Sequence, residues 1–100
     1  MRVLLCFDVD GTLETSAGPI TVARLRELDA IDGCQVVIVS PSGARPQGFA
    51  ECINGPSRAA NLESAATTYH SDLLLYISDN NDQAEAQASG FTYIDRMEFR

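Results

Sequence analysis

The sequence predicts an α/β fold: one short parallel sheet of about four strands, covered by helices on both faces. Three features predict it. Four short apolar runs punctuate the chain, amphipathic stretches of helical spacing separate them, and acids or hydroxyls gather where the runs end. Near-continuous apolar strands alternating with helices require a sheet buried on both sides.

The elements follow in order. Residues 2–7 are an apolar run that ends abruptly in acids, hence a buried strand. Val22, Leu25 and Leu28 recur at helical spacing after Pro19, and Gly33 marks the stop. Val36 to Val39 is a β-branched run, a second buried strand, ending in the turn-forming Ser40-Pro41-Ser42-Gly43. Residues 44–56 stay open, because Pro46, Gly48, Gly55 and Pro56 break any long element. Ser57 is placed to cap a helix whose Ala59, Leu62, Ala66 and Tyr69 share a face. Leu73 to Ile77 is a third strand, and Asp82 starts a helix carrying Ala84 and Ala88, with Gly90 as its stop. Phe91 to Ile94 gives a fourth strand, and 95–100 a polar tail.

Composition bounds the function. One hundred residues, 45% of them hydrophobic, suit a single globular domain over 1–100. A core this small favours a homodimer. Fourteen acids face seven arginines and no lysine, for a net charge of −7. That balance disfavours nucleic acid and anionic membrane surfaces as partners. A phosphorylated substrate remains compatible, since a bound divalent cation reverses the local field. Cys6, Cys34 and Cys52 lack metal-type spacing and read as small apolar side chains in a reducing cytosol. The opening apolar run is too short for a signal peptide or a membrane span, so a soluble, cytoplasmic protein is expected.

In a sheet of this kind the ligand crevice lies beyond the carboxyl ends of the strands. Asp8, Asp10, Ser40, Asp79 and Asp82 all fall there. Asp8-Val9-Asp10-Gly11-Thr12-Leu13 follows the first strand directly, putting two carboxylates two residues apart at the sheet's mouth. An acidic pair before a glycine also suits a solvated turn, but that reading does not account for the whole string after a buried run.

At this string the sequence resembles the haloacid dehalogenase superfamily of phosphatases, whose first motif is an aspartate pair of this form. The resemblance extends over nearly the whole chain, with only the first motif highly specific. It implies a three-layer Rossmann-like core, Asp8 as a nucleophile toward phosphorus, and Asp10 as the general acid/base. The chemistry is coherent: a covalent intermediate divides one difficult displacement into two easier ones, and two acids in different protonation states share the tasks. The second motif is a Ser or Thr at the end of the second strand, which Ser40 matches as a phosphoryl contact. The third is a basic residue, and Arg58, opening a helix upstream of the third strand, fits better than Arg45. The fourth is an acid pair. Ile77-Ser78-Asp79-Asn80-Asn81-Asp82 departs from it, with Ser78 in place of a glycine and the acids one residue too close. The resemblance implies Mg²⁺ held among Asp8, Asp10, Asp79 and Asp82, a donor set suited to a hard cation. Asp82 and Glu85 also form a helix N-cap pattern.

Only 27 residues separate Asp10 from Ile38, and 17 separate Ser40 from Arg58. Neither gap holds the cap domain that many family members carry, so the chain resembles capless members. An open site of this kind suits a phosphorylated macromolecule, or a second subunit, as its cover. Two other classes compete: a noncatalytic domain that binds phosphate or metal, and a receiver-type signalling domain, which the lack of lysine ranks last. His70, Tyr69, Tyr76 and Tyr93 read as structural side chains.

Overall fold

The computed structural model describes residues 1–40, 43–79 and 82–99. Pro41 and Ser42 of the expected turn, Asn80 and Asn81 of the expected acid motif, and Arg100 of the expected tail lie outside the described residues. The chain runs β1 (Val3–Phe7), a 3₁₀ turn (Glu14–Ser16), α1 (Val22–Asp29), β2 (Cys34–Ile38), β3 (Ala50–Glu51), α2 (Arg58–Thr68), β4 (Leu73–Ser78), α3 (Gln83–Ala88), β5 (Thr92–Asp95) and α4 (Arg96–Phe99).

The strands form one sheet in the order β3-β2-β1-β4-β5, parallel throughout. From β1 the chain steps outward through β2 to β3, then returns past β1 and steps the other way through β4 to β5. Right-handed crossovers demand opposite faces for the two directions of travel. Accordingly Leu25 of α1 packs with Leu5, Phe7, Val36, Ile38 and Ile77 on one face. Leu62 and Ala65 of α2 and Ala86 of α3 pack with Leu4, Cys6, Val37 and Tyr76 on the other. The side-chain alternation of a strand thus divides β1 cleanly: residues 4 and 6 to the α2/α3 side, 5 and 7 to the α1 side. Among the described residues no helix is long and apolar enough to cross a membrane.

The strand-and-helix alternation and the doubly covered sheet agree with the sequence expectation. Several boundaries are corrected. The sheet has five strands: β3 emerges from the stretch left open, and it is held by β2, where Ala50 pairs with Val37 and Glu51 with Ile38. α1 ends at Asp29 rather than near Gly33, which sits in the turn before β2 at φ +88°. The last strand continues to Asp95, and residues 96–99 of the expected polar tail form α4. Phe99 of that turn meets Phe7 edge-on at 5.3 Å between ring centroids, which gives α4 an apolar anchor. Ser57 caps α2 as expected, accepting from the Ala60 N–H. Asp82 stands at the N-cap of α3, but its side chain makes no capping hydrogen bond; its oxygens are engaged elsewhere.

The cysteines are free. Burial, with Cys52 nearby, pushes the Cys6 thiol far above its usual range, so it behaves as a core side chain.

Candidate active site

The reversal of strand order falls between β1 and β4, and the crevice outside their carboxyl ends is where such sheets bind ligands. Asp8 stands at that point. Its N–H donates to the Ile77 carbonyl at 3.0 Å, and the Val39 N–H donates to the Phe7 carbonyl at 3.1 Å, so both neighbouring strands fix the backbone that delivers it. Alternation then sends Asp8, following Leu4 and Cys6, toward the α2/α3 side. Ser78, following Leu74 and Tyr76 in β4, goes the same way.

α2 begins on that side, and its first residue is Arg58. The guanidinium Nη1 lies 3.1 Å from Asp8 Oδ1. The same nitrogen donates to the Tyr76 hydroxyl at 2.9 Å and pairs with Asp82 Oδ2. Tyr76 donates its hydroxyl proton to Asp82 Oδ2, and Ser78 donates to Asp82 Oδ1. Ser78 also lies 3.3 Å from the Tyr93 hydroxyl. Asp8 and Asp82 are only 4% and 5% exposed. Two buried carboxylates therefore share one guanidinium, and two hydroxyls complete the coordination of Asp82.

Burial pushes the Asp8 carboxyl above its ordinary range, and the neighbouring Asp82 pushes the same way. Arg58, the Val9 N–H and the Ser40 hydroxyl oppose the shift without cancelling it. Burial works against the Arg58 charge, but Tyr76, Asp8 and Asp82 outweigh it and hold the guanidinium protonated. Burial and the hydrogen bond to Asp82 keep Tyr76 a neutral phenol. Three buried polar atoms find no hydrogen-bond partner among the described residues: Asp8 Oδ1, Arg58 Nε and Thr12 Oγ1. Asp8 Oδ1 still has its ion pair with Arg58 Nη1; buried polar groups are overwhelmingly satisfied in folded proteins, so the unspent Arg58 Nε–H beside it calls for an explanation.

The remaining sequence-predicted residues take other positions. Ser40 is fully buried and bonds to the Asp8 carboxylate. Asp10 is exposed, and its carboxylate lies against the backbone of Gly43, where an added Cβ would stand 2.3 Å from Oδ1. Asp79, one residue past the end of β4, lies beside Gly11. Its Oδ2 lies 3.3 Å, and Arg96 Nη1 3.0 Å, from where a Gly11 Cβ would stand. Arg96 donates to the Gly11 carbonyl. Arg45 pairs with Glu51 at 2.9 Å at the sheet edge, so Arg58 is the basic residue beside Asp8. The structure thus joins Asp8, Ser40, Arg58 and Asp82 in one buried set and holds Asp10 and Asp79 along the neighbouring loop. Among the described residues no group of three or more His, Cys, Asp or Glu is arranged to hold a metal ion.

Sequence reasoning took Tyr76 for a structural side chain, met Ser78 only as a departure from the acid motif, and passed over Arg96. The first two carried a signal, since residues 74, 76 and 78 share the strand face that Asp8 continues. Arg96 carried none, because a four-residue turn is too short to display a period.

Comparison of the chain with protein-family models, with curated proteins and with solved structures finds no match.

Proposed function

We propose that the chain is a Mg²⁺-dependent phosphohydrolase of the haloacid dehalogenase type, acting through an aspartyl-phosphate on Asp8. The observation that carries this reading is a buried Asp8 carboxylate whose Oδ1 is ion-paired with Arg58 but accepts no hydrogen bond among the described residues, beside an Arg58 Nε–H that finds no acceptor, at the sheet's switch point. A tetrahedral phosphoryl group meets such a donor with an oxygen and such a nucleophile with its phosphorus.

In this mechanism an Asp8 oxygen attacks phosphorus while the bond to the leaving oxygen breaks, and Asp10 delivers its proton to that oxygen. Water then attacks the phosphoryl group, Asp10 takes the water's proton, and the bond to Asp8 breaks to free inorganic phosphate. Arg58 and the Ser40 hydroxyl orient the phosphoryl oxygens. Asp82 holds Arg58 from behind through Oδ2, which Tyr76 also engages, while Ser78 fixes Oδ1, so both oxygens serve this network rather than a cation. Mg²⁺ is satisfied by one or two carboxylates with waters and substrate oxygens. Asp8, Asp79 and the Asp10 backbone carbonyl are the groups that would hold it, and it would neutralise charge on the phosphoryl oxygens when bound. Asp8 Oδ1, ion-paired with Arg58 but with no hydrogen bond among the described residues, keeps lone-pair capacity for that role.

One observation favours a second reading. Arg58 Nη1 is already paired with two protein carboxylates, as in a noncatalytic domain whose network is structural. Turnover decides between them. With Mg²⁺ the chain should hydrolyse a phosphomonoester, and chelator should stop it. Beryllium fluoride should settle on Asp8, and Asp10→Asn should slow turnover by roughly 10²–10⁴-fold. No turnover, with no beryllium fluoride on Asp8, leaves the structural reading standing. A reducing cytosolic setting, a phosphorylated macromolecule as substrate and a homodimer complete the proposal. The free cysteines and the exposed Asp10 support the first two.

A further inference from the structure

We infer that Ser16 and Gly43 form a seat for the Asp10 carboxylate, making both positioning residues for its proton transfers. The acid/base role of Asp10 belongs to the function proposed above; the seat itself is geometry.

Ser16 closes the 3₁₀ turn that follows the aspartate string, and its backbone is tied into that string at both groups. Its carbonyl accepts from the Gly11 N–H at 2.9 Å, and its N–H donates to the Leu13 carbonyl at 2.9 Å. Its hydroxyl reaches out of the turn and accepts from the Ala44 N–H at 2.9 Å. A residue anchored in the loop after β1 therefore grips the loop after β2. The gripped loop presents Gly43 to Asp10. A Cβ built there would stand 2.3 Å from Asp10 Oδ1, 2.9 Å from Ser16 Oγ and 2.9 Å from Val9 Cγ1. Gly43 also has φ +82°, a conformation glycine adopts without strain. Both its backbone and its missing side chain are thus required for the carboxylate to lie where it does.

This seat matters because Asp10 is otherwise exposed. A surface carboxylate that samples several rotamers spends little time aimed at a leaving oxygen, and misplacement by about 1 Å costs up to roughly 10²-fold in rate. Backing it with glycine backbone removes one direction of escape, and the Ser16 bond keeps that backbone in place.

Leaving-group dependence gives a test that mere loss of stability would not pass. Alkyl phosphates need their leaving oxygen protonated, whereas p-nitrophenyl phosphate does not. Ser16→Ala should lower kcat/KM, which reports formation of the aspartyl-phosphate, about tenfold on an alkyl phosphate and by less than about twofold on p-nitrophenyl phosphate, and Ser16→Thr should restore the first. Equal losses on both substrates, or none, would overturn the positioning role. The contact is tested without turnover by melting a cycle of Gly43→Ala and Asp10→Gly. The Gly43→Ala change strains the backbone in any background, but removing the Asp10 carboxylate should relieve part of its cost. Additive melting shifts would overturn the seat. If the parent hydrolyses neither substrate, the phosphohydrolase reading and the positioning role fall together, while a non-additive cycle would still establish the contact.

Discussion

Replacing Asp82 by Asn tests the buried network at its centre. The two side chains have the same shape, so the change removes charge and one acceptor with little loss of packing. The best orientation turns the new amide's carbonyl toward Arg58 and Tyr76 and its NH₂ toward Ser78. Ser78 then accepts from the amide and can turn its proton to the Tyr93 hydroxyl, 3.3 Å away. Hydrogen bonding is largely kept; what goes is a buried carboxylate, 5% exposed, paired with a guanidinium. Removing one member of a buried ion pair costs about 3–5 kcal/mol when it strands the other charge. Arg58 is not stranded, because Asp8 remains 3.1 Å away. The loss should therefore fall below that range, at about 2 kcal/mol. For a chain of this size a kilocalorie corresponds to about 4–8 °C, so the melting temperature should drop by about 10 °C. Urea denaturation at pH 7 is the assay, with an unchanged m-value showing that the unfolded states are comparable. Asp82→Ala should be worse, since it leaves Arg58, Tyr76 and Ser78 each missing a partner. An Asp82→Asn protein within about 0.5 kcal/mol of the parent would refute the reasoning, because surface substitutions behave that way.

Two further outcomes follow from the same geometry. Asp8→Asn should abolish turnover yet raise stability at neutral pH. The native state holds the Asp8 proton more tightly than the unfolded chain, because burial raises its carboxyl from an ordinary value near 3.8. The parent should therefore lose stability as pH climbs from that value through the raised one, and the variant should lack that segment of the decline in a melting series against pH. Arg96→Ala should detach α4 from the Gly11 carbonyl. Hydrogen exchange should then quicken in both 9–13 and 96–99, and quickening confined to the helical turn would show that the contact does not stabilise the loop.

Much of this was written in the sequence, for reasons that differ by element. β1 and the carboxyl-terminal parts of β2 and β4 are buried on both faces, so their apolar runs announce themselves. β3 has no such run. Ala50 and Glu51 are extended because β2 offers an edge, which is tertiary information. α4 is helical in a stretch of Arg, Met, Glu and Phe whose one clear apolar anchor, Phe99, has meaning only beside Phe7. At the site, motif spacing brought Asp8, Ser40 and Arg58 to one place, and the structure has them adjacent. It was silent on Tyr76, which is both core and site: its ring packs with Leu62 while its hydroxyl serves Asp82. Asp82 illustrates the limit most clearly. Its position at the N-cap was legible, but its side chain turns to Arg58, because a buried guanidinium draws a nearby carboxylate more strongly than a helix N–H does.

The central place of β1 also has a consequence for how the chain is made. Val3 pairs with Cys34 on one side and with Leu73 on the other. Parallel pairing cannot be closed by a tight hairpin, so each partner waits for its whole crossover. During synthesis β1 can acquire β2 and β3 early, while its second edge stays open until Leu73–Ser78 has emerged. A nascent chain at that stage already carries Asp8, Asp10, Ser40 and Arg58, but it presents an apolar strand edge of the kind that pairs with other chains. The interval between residues 58 and 78 is therefore the vulnerable one for expression. Slow translation there, or a fragment ending before β4, should favour aggregates holding most of the motif residues and none of the assembled network.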